Sequence, residues 1–120
     1  MKTAIAFLVL TTGLVAADTD NWQRSKECAE QAEKLAKRGS MSIDQIHYSP
    51  KYERCYAKLN EVDSVGINWY LYDVFEETWL ARHLLLHAPL KNGEDNACFI
   101  NEERKDCAVV DGYIAEHLKN

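Results

Sequence analysis

The chain has 120 residues, a formal net charge of −5 at pH 7 and four cysteines. That length suits a single domain. The acidic balance argues against nucleic acid and anionic membrane as partners, since both require basic surface. It permits a basic protein partner.

The first stretch is "MKTAIAFLVLTTGLVAAD". A lysine follows Met1, an uncharged and mostly apolar run extends from Ala4 to Val15, and the small residues Ala16 and Ala17 precede Asp18. Together these are the parts of a secretory leader. The apolar run falls short of the ~20 residues a membrane span needs. The pattern predicts a leader over 1–17 and an exported domain over 18–120, secreted or periplasmic. No second apolar stretch approaches spanning length.

Residues 19–38 read as a helix. Cys28, Ala29, Ala32, Leu35, Ala36 and Trp22 share one arc at 100° per residue. Lys34, Lys37 and Arg38 suit its C-terminal end, and Gly39 suits the C′ position. Residues 39–50 read as a connector. "RCYAKLNEV" then alternates, with Cys55, Ala57 and Leu59 on one side, which is the period of a strand. "DSVG", 63–66, is turn chemistry. "INWYLYDVF", 67–75, has the β-branched and aromatic composition of strands. The prediction is a hairpin over 54–75, with a long helix from 67 to 87 as its rival. "EETWLARHLLLH", 76–87, reads as a helix by its acidic start, basic end and terminating Pro89. Residues 98–107 read as a clamped hairpin or loop. Residues 108–118 read as a closing helix with Val110, Tyr113, Ile114 and His117 or Leu118 inward.

Four cysteines in a small exported domain predict two disulfides. Cys98 and Cys107 enclose only "FINEERKD" and so pair locally, leaving Cys28 to pair with Cys55. No CxxC or paired short zinc spacing is present. The expected fold is therefore α+β: an N-terminal helix disulfide-stapled to a small antiparallel sheet, followed by helices and a disulfide-clamped hairpin. The alternative is all-α, with four short helices.

Two groups of residues carry functional expectations. Glu76, His83 and His87 would align on one face of a 76–87 helix, and two imidazoles four apart can reach one zinc or copper ion. Trp69, Tyr70, Tyr72 and Val74 belong to the aromatic strand, and Tyr and Trp favour binding surfaces. "HYSPKYERCY", 47–56, combines His47, three tyrosines and Cys55, yet reads as scaffold around a disulfide. No Gly-x-Ser-x-Gly elbow, phosphate loop or well-spaced carboxylate pair appears, so no catalytic residue is assigned.

The pieces "HYSPKYERCY", "LYDVFEETWLA" and "CFINEERKDC", followed by a terminal helix, resemble a diffuse group of small exported bacterial domains without an assigned activity. The resemblance implies a fold and a disulfide pattern. The expected function is non-enzymatic binding of another exported macromolecule, of inhibitor, immunity or envelope accessory type. The alternatives are a metal-binding protein or metal-dependent enzyme using His83 and His87, and a carrier of a small apolar ligand.

Overall fold

The computed structural model describes residues 2–119, with side chains from Asp20 onward. The leader expected over 1–17 lies outside the residues whose side chains are described. Helix α1 spans Lys2–Arg38. The strands follow as β1 (Ser42–Ser49), β2 (Arg54–Val62), β3 (Gly66–Asp73), β4 (Thr78–Leu86), β5 (Asn96–Ile100) and β6 (Glu103–Lys105). Helix α2 (Cys107–His117) comes last. The strands pair antiparallel in sequence order to make one six-stranded sheet.

The fold is α+β, but its layout corrects the sequence expectation. Among the described residues two helices flank one six-stranded sheet, so neither the run of helices after a small sheet nor the all-α alternative exists. Segment 76–87, expected as a helix, is a turn followed by β4. Leu, Ala and Arg are good helix formers. Here β4 pairs on both sides, with β3 and β5. A short apolar run such as "LLL" fits either element, and periodicity alone cannot tell the strand from a helix. The expected hairpin over 54–75 forms as β2 and β3, and the rival 67–87 helix does not.

Strand β1 occupies the segment read as a connector. Its ladder shifts register between Ile43 and Gln45. That bulge places Ile43 and Ile46, three residues apart, against the same core cluster. A bulge breaks the period of two, which hides the strand in the sequence.

Each helix covers a different face of the sheet. Cys28, Ala32 and Ala36 of α1 meet Cys55, Ala57 and Leu59 of β2, together with Val74. Val110, Ile114 and Leu118, on and just after α2, meet Leu71 of β3, Ala81 of β4 and Cys98 of β5. Successive strand residues point to opposite faces. Tyr56 packs with the α2 cluster and Ala57 with the α1 cluster, so the two cores lie on opposite sides. Leu59 and Leu71 are fully buried, and each contributes roughly 1.5–3 kcal/mol by burial. The small residues of α1 let it lie close to β2, where the Cys28–Cys55 disulfide joins them. The Cys98–Cys107 disulfide ties β5 to the start of α2. Loop-closure entropy gives these bridges roughly 3.6 and 2.7 kcal/mol.

The end of α1 corrects the expected cap. Met41 N donates to Ala36 O at 2.8 Å and Ser40 N to Lys37 O at 3.3 Å. This is a Schellman motif with Ser40 at C′, in the left-handed region at φ 54. Gly39 stands one position earlier than that role requires.

Candidate functional site

The face of the sheet that carries α1 has a second half, over β3, β4 and β5. Helix α1 packs on β1 and β2, and its core cluster reaches β3 only through Tyr72. Cross-strand partners share a face, so the pairings Tyr72–Trp79, Tyr70–Arg82 and Arg82–Phe99 place these five side chains together. Tyr70 is the hub. Its ring lies 5.7 Å from Tyr72 and 6.2 Å from Trp79. The Arg82 guanidinium sits 5.5 Å from the Tyr70 ring and 5.9 Å from the Phe99 ring. Arg104 of β6 lies 5.8 Å over the other end of the row, at Phe99.

The row is held from beneath. Asn68 is fully buried, and its Oδ1 accepts from Arg82 Nε at 2.8 Å. A buried amide needs such a partner, so Arg82 is fixed by the sheet itself. Burial raises the Tyr70 and Tyr72 hydroxyls above the ordinary tyrosine range. Both therefore remain neutral donors at neutral pH. The result is an aromatic surface of half-buried rings with one oriented cation at its middle and a second at its edge. Aromatic and Arg side chains fixed in place are the residues that dominate binding energy.

The opposite face holds a cleft of about 360 Å³ beside α2, lined by Gln45, Lys58, Trp69, His83 and Asp111 among others. His83 Nδ1 lies 2.7 Å from Asp111 Oδ1, and Nε2 lies 2.7 Å from Asn96 Oδ1. The Asn96 amide is oriented by its Nδ2, which donates to Asp95 Oδ1 at 2.8 Å. Both ring nitrogens of His83 thus face acceptors, which suits the imidazolium. Burial alone lowers its pKa, but the hydrogen bonds to Asn96 and Asp111 and the Asp111 charge outweigh it, and the net shift is upward. A His held this way has no free lone pair for general base work. The cleft lining also includes no hydroxyl or thiol nucleophile.

The sequence-predicted residues fall into three places. Tyr70 and Tyr72 belong to the aromatic row. Trp69 points to the other face, with its ring 5.7 Å from His83, as strand alternation requires. Val74 is fully buried in the α1 core and presents no binding surface. The metal set Glu76, His83 and His87 loses its basis with the helix. Glu76 lies in the turn after β3, and its backbone N donates to Asp73 Oδ1. His87 is a structural residue: its Nε2 lies 3.0 Å from Asp63 O, and its N donates to Val65 O, across the β2–β3 turn. In "HYSPKYERCY" Cys55 is disulfide-bonded to Cys28, as read, and Tyr48 packs 6.4 Å from Phe75.

Sequence reasoning missed Trp79, Arg82, Phe99 and Arg104 in the row, and Asn96 and Asp111 beside His83. Reading 78–86 as a strand would have set Arg82 across from Tyr70; Trp79, three residues before Arg82, reaches the same face only through the register shift between Leu71 and Tyr72. Nothing local points from His83 to Asp111. No family model, curated protein or solved structure matches the chain.

Proposed function

We propose that this is a non-enzymatic, exported binding domain that engages another exported protein through the aromatic row of β3–β5. The observation that supports this most is the fixed Tyr72–Tyr70–Trp79 cluster flanked by Arg82 over Tyr70 and Phe99. Rings already held in one geometry lose little entropy on binding. Arg82, oriented by Asn68, offers a directed donor to a carboxylate or carbonyl of the partner.

Export rests on the leader pattern of residues 1–17. Two disulfides agree with an oxidising compartment. Among the described residues no helix is long and apolar enough to cross a membrane. The disulfide-bonded domain gives a catalytic role little to act with, because His83 is engaged at both nitrogens and the neighbouring sulfurs of Cys98 and Cys107 are bonded to each other.

The test is affinity capture from the source organism's exported fraction with the oxidised domain starting at Asp18. One saturable partner is expected, with affinity at least ~10-fold weaker for Tyr70→Ala/Trp79→Ala. Capture unchanged by that double substitution would overturn the reading.

A further inference from the structure

We infer that His83, Cys98 and Cys107 form a zinc site that opens when the Cys98–Cys107 disulfide is reduced. This inference is independent of the aromatic row, which lies on the other face.

The three residues meet from three elements. His83 of β4 and Cys98 of β5 are direct cross-strand partners. Cys107 is the first residue of α2 and is bonded to Cys98. One ring nitrogen of His83 and the two sulfurs lie within 4.8 Å of one another. A tetrahedral zinc ion with Zn–S of about 2.3 Å and Zn–N of about 2.0 Å has ligand–ligand edges of roughly 3.5–3.8 Å. The Cα atoms of the two cysteines are 5.1 Å apart. Once the bond between them is broken, rotation of the side chains lets the sulfurs separate to one such edge without moving the backbone far.

The surroundings suit thiolates and a metal-bound imidazole. Cys107 sits at the N-terminal end of α2, where Asp106 caps the helix and the helix dipole favours a thiolate. Asp111 lies one turn further along α2 and holds His83 Nδ1. Bringing Nε2 to the metal gives up the contact with Asn96 and the Nε2 proton that makes it. The Asp111 carboxylate then remains on the other nitrogen, the arrangement that orients most metal-bound histidines. Two thiolates and one imidazole make a soft set that suits zinc and leave a fourth position for water.

The redox step is a dithiol exchange. A reducing dithiol gives two electrons to the Cys98–Cys107 bond and becomes a disulfide, and Cys98 and Cys107 become thiols. Zinc then displaces to solvent the two thiol protons and the Nε2 proton of His83 that faces Asn96. Cys107 is half-buried, which gives a reductant access, whereas Cys28 and Cys55 are both fully buried. The two disulfides are thereby distinguished: one staples the core, the other gates a metal site.

The experiment uses the oxidised protein and the protein reduced with a phosphine, each titrated with zinc and with cobalt as a spectroscopic probe. Expected is one ion per reduced chain, tetrahedral thiolate–cobalt absorption, and no stoichiometric binding to the oxidised chain. His83→Ala should weaken zinc binding at least ~10-fold, and Asp111→Asn, which keeps all three ligands, by about 10–100-fold. Binding that survives Cys98→Ser/Cys107→Ser, or is unchanged in His83→Ala, would overturn the site. Circular dichroism is followed in parallel. A reduced chain that unfolds and that zinc does not refold also contradicts it, whereas refolding by zinc that fails in His83→Ala supports it.

Discussion

Nδ1 of His83, in the middle of the sheet, is 2.7 Å from Oδ1 of Asp111 on α2. Burial disfavours the charged ring, but this contact and the Asn96 contact favour it and raise the His83 pKa on balance; Lys58 nearby opposes that shift. A raised folded-state pKa stabilises the fold fully below the unfolded value of about 6.5 and is lost as pH rises through the folded value. Unfolding in urea at about pH 5.5 and pH 8.5 should therefore show stability falling with pH. Asp111→Asn should remove about 1 kcal/mol at the lower pH, little at the higher, and flatten the slope.

Asp63 gives the opposite sign at the acid end. Its carboxylate accepts from Gly66 N and Val65 N, and these bonds lower its pKa. That contribution is present above the unfolded value of about 3.9 and disappears as pH falls through the folded one. Acid unfolding of Asp63→Ala should accordingly show less loss of stability below about pH 4 than the parent chain, measured relative to each protein's own value at neutral pH.

Two glycines should respond in opposite directions to the same substitution. A Cβ at Gly66 would lie 2.0 Å from the Leu85 carbonyl oxygen of the paired strand. Gly66→Ala must push β3 from β4 and should cost about 3 kcal/mol or more in chemical denaturation. A Cβ at Gly112, in the exposed face of α2, meets nothing within 4 Å. Gly112→Ala should stabilise by about 0.5–1 kcal/mol through helix propensity.

The cap of α1 offers a further test. Ser40 holds φ 54 at the C′ position, a conformation that glycine adopts without a Cβ penalty. Ser40→Gly should raise stability by roughly 0.5–1 kcal/mol in thermal unfolding. The stretch itself, with Gly39 beside Ser40, points to a helix end but leaves the exact residue in the left-handed region open.

Much of this molecule is legible from its residues. The alternation of "RCYAKLNEV", the turn at 63–66 and the aromatic run after it mark β2 and β3, because half-buried strands and short turns leave local signals. Both disulfides follow from spacing. The final helix follows from Val110, Ile114 and Leu118 recurring at helical spacing. The two strands that were missed failed for different reasons. In β1 a bulge sets Ile43 and Ile46 three apart. In β4 the run "LLL" and the flanking charges satisfy helical rules, and only pairing on both sides makes it a strand. The candidate sites inherit these errors. Arg82 joins Tyr70 only if 78–86 is extended, and His83 meets Asp111 only after α2 folds back across the sheet.

The central claim, that the aromatic row is the partner-facing surface, is tested most directly by site-specific photo-crosslinking. A benzophenone side chain is placed at Trp79, within the row, and separately at Val109, an exposed apolar residue of α2. The oxidised domain is then irradiated in the exported fraction. The account predicts one defined adduct from position 79 and none from position 109. An adduct from position 109 alone would move the surface to α2 and contradict it.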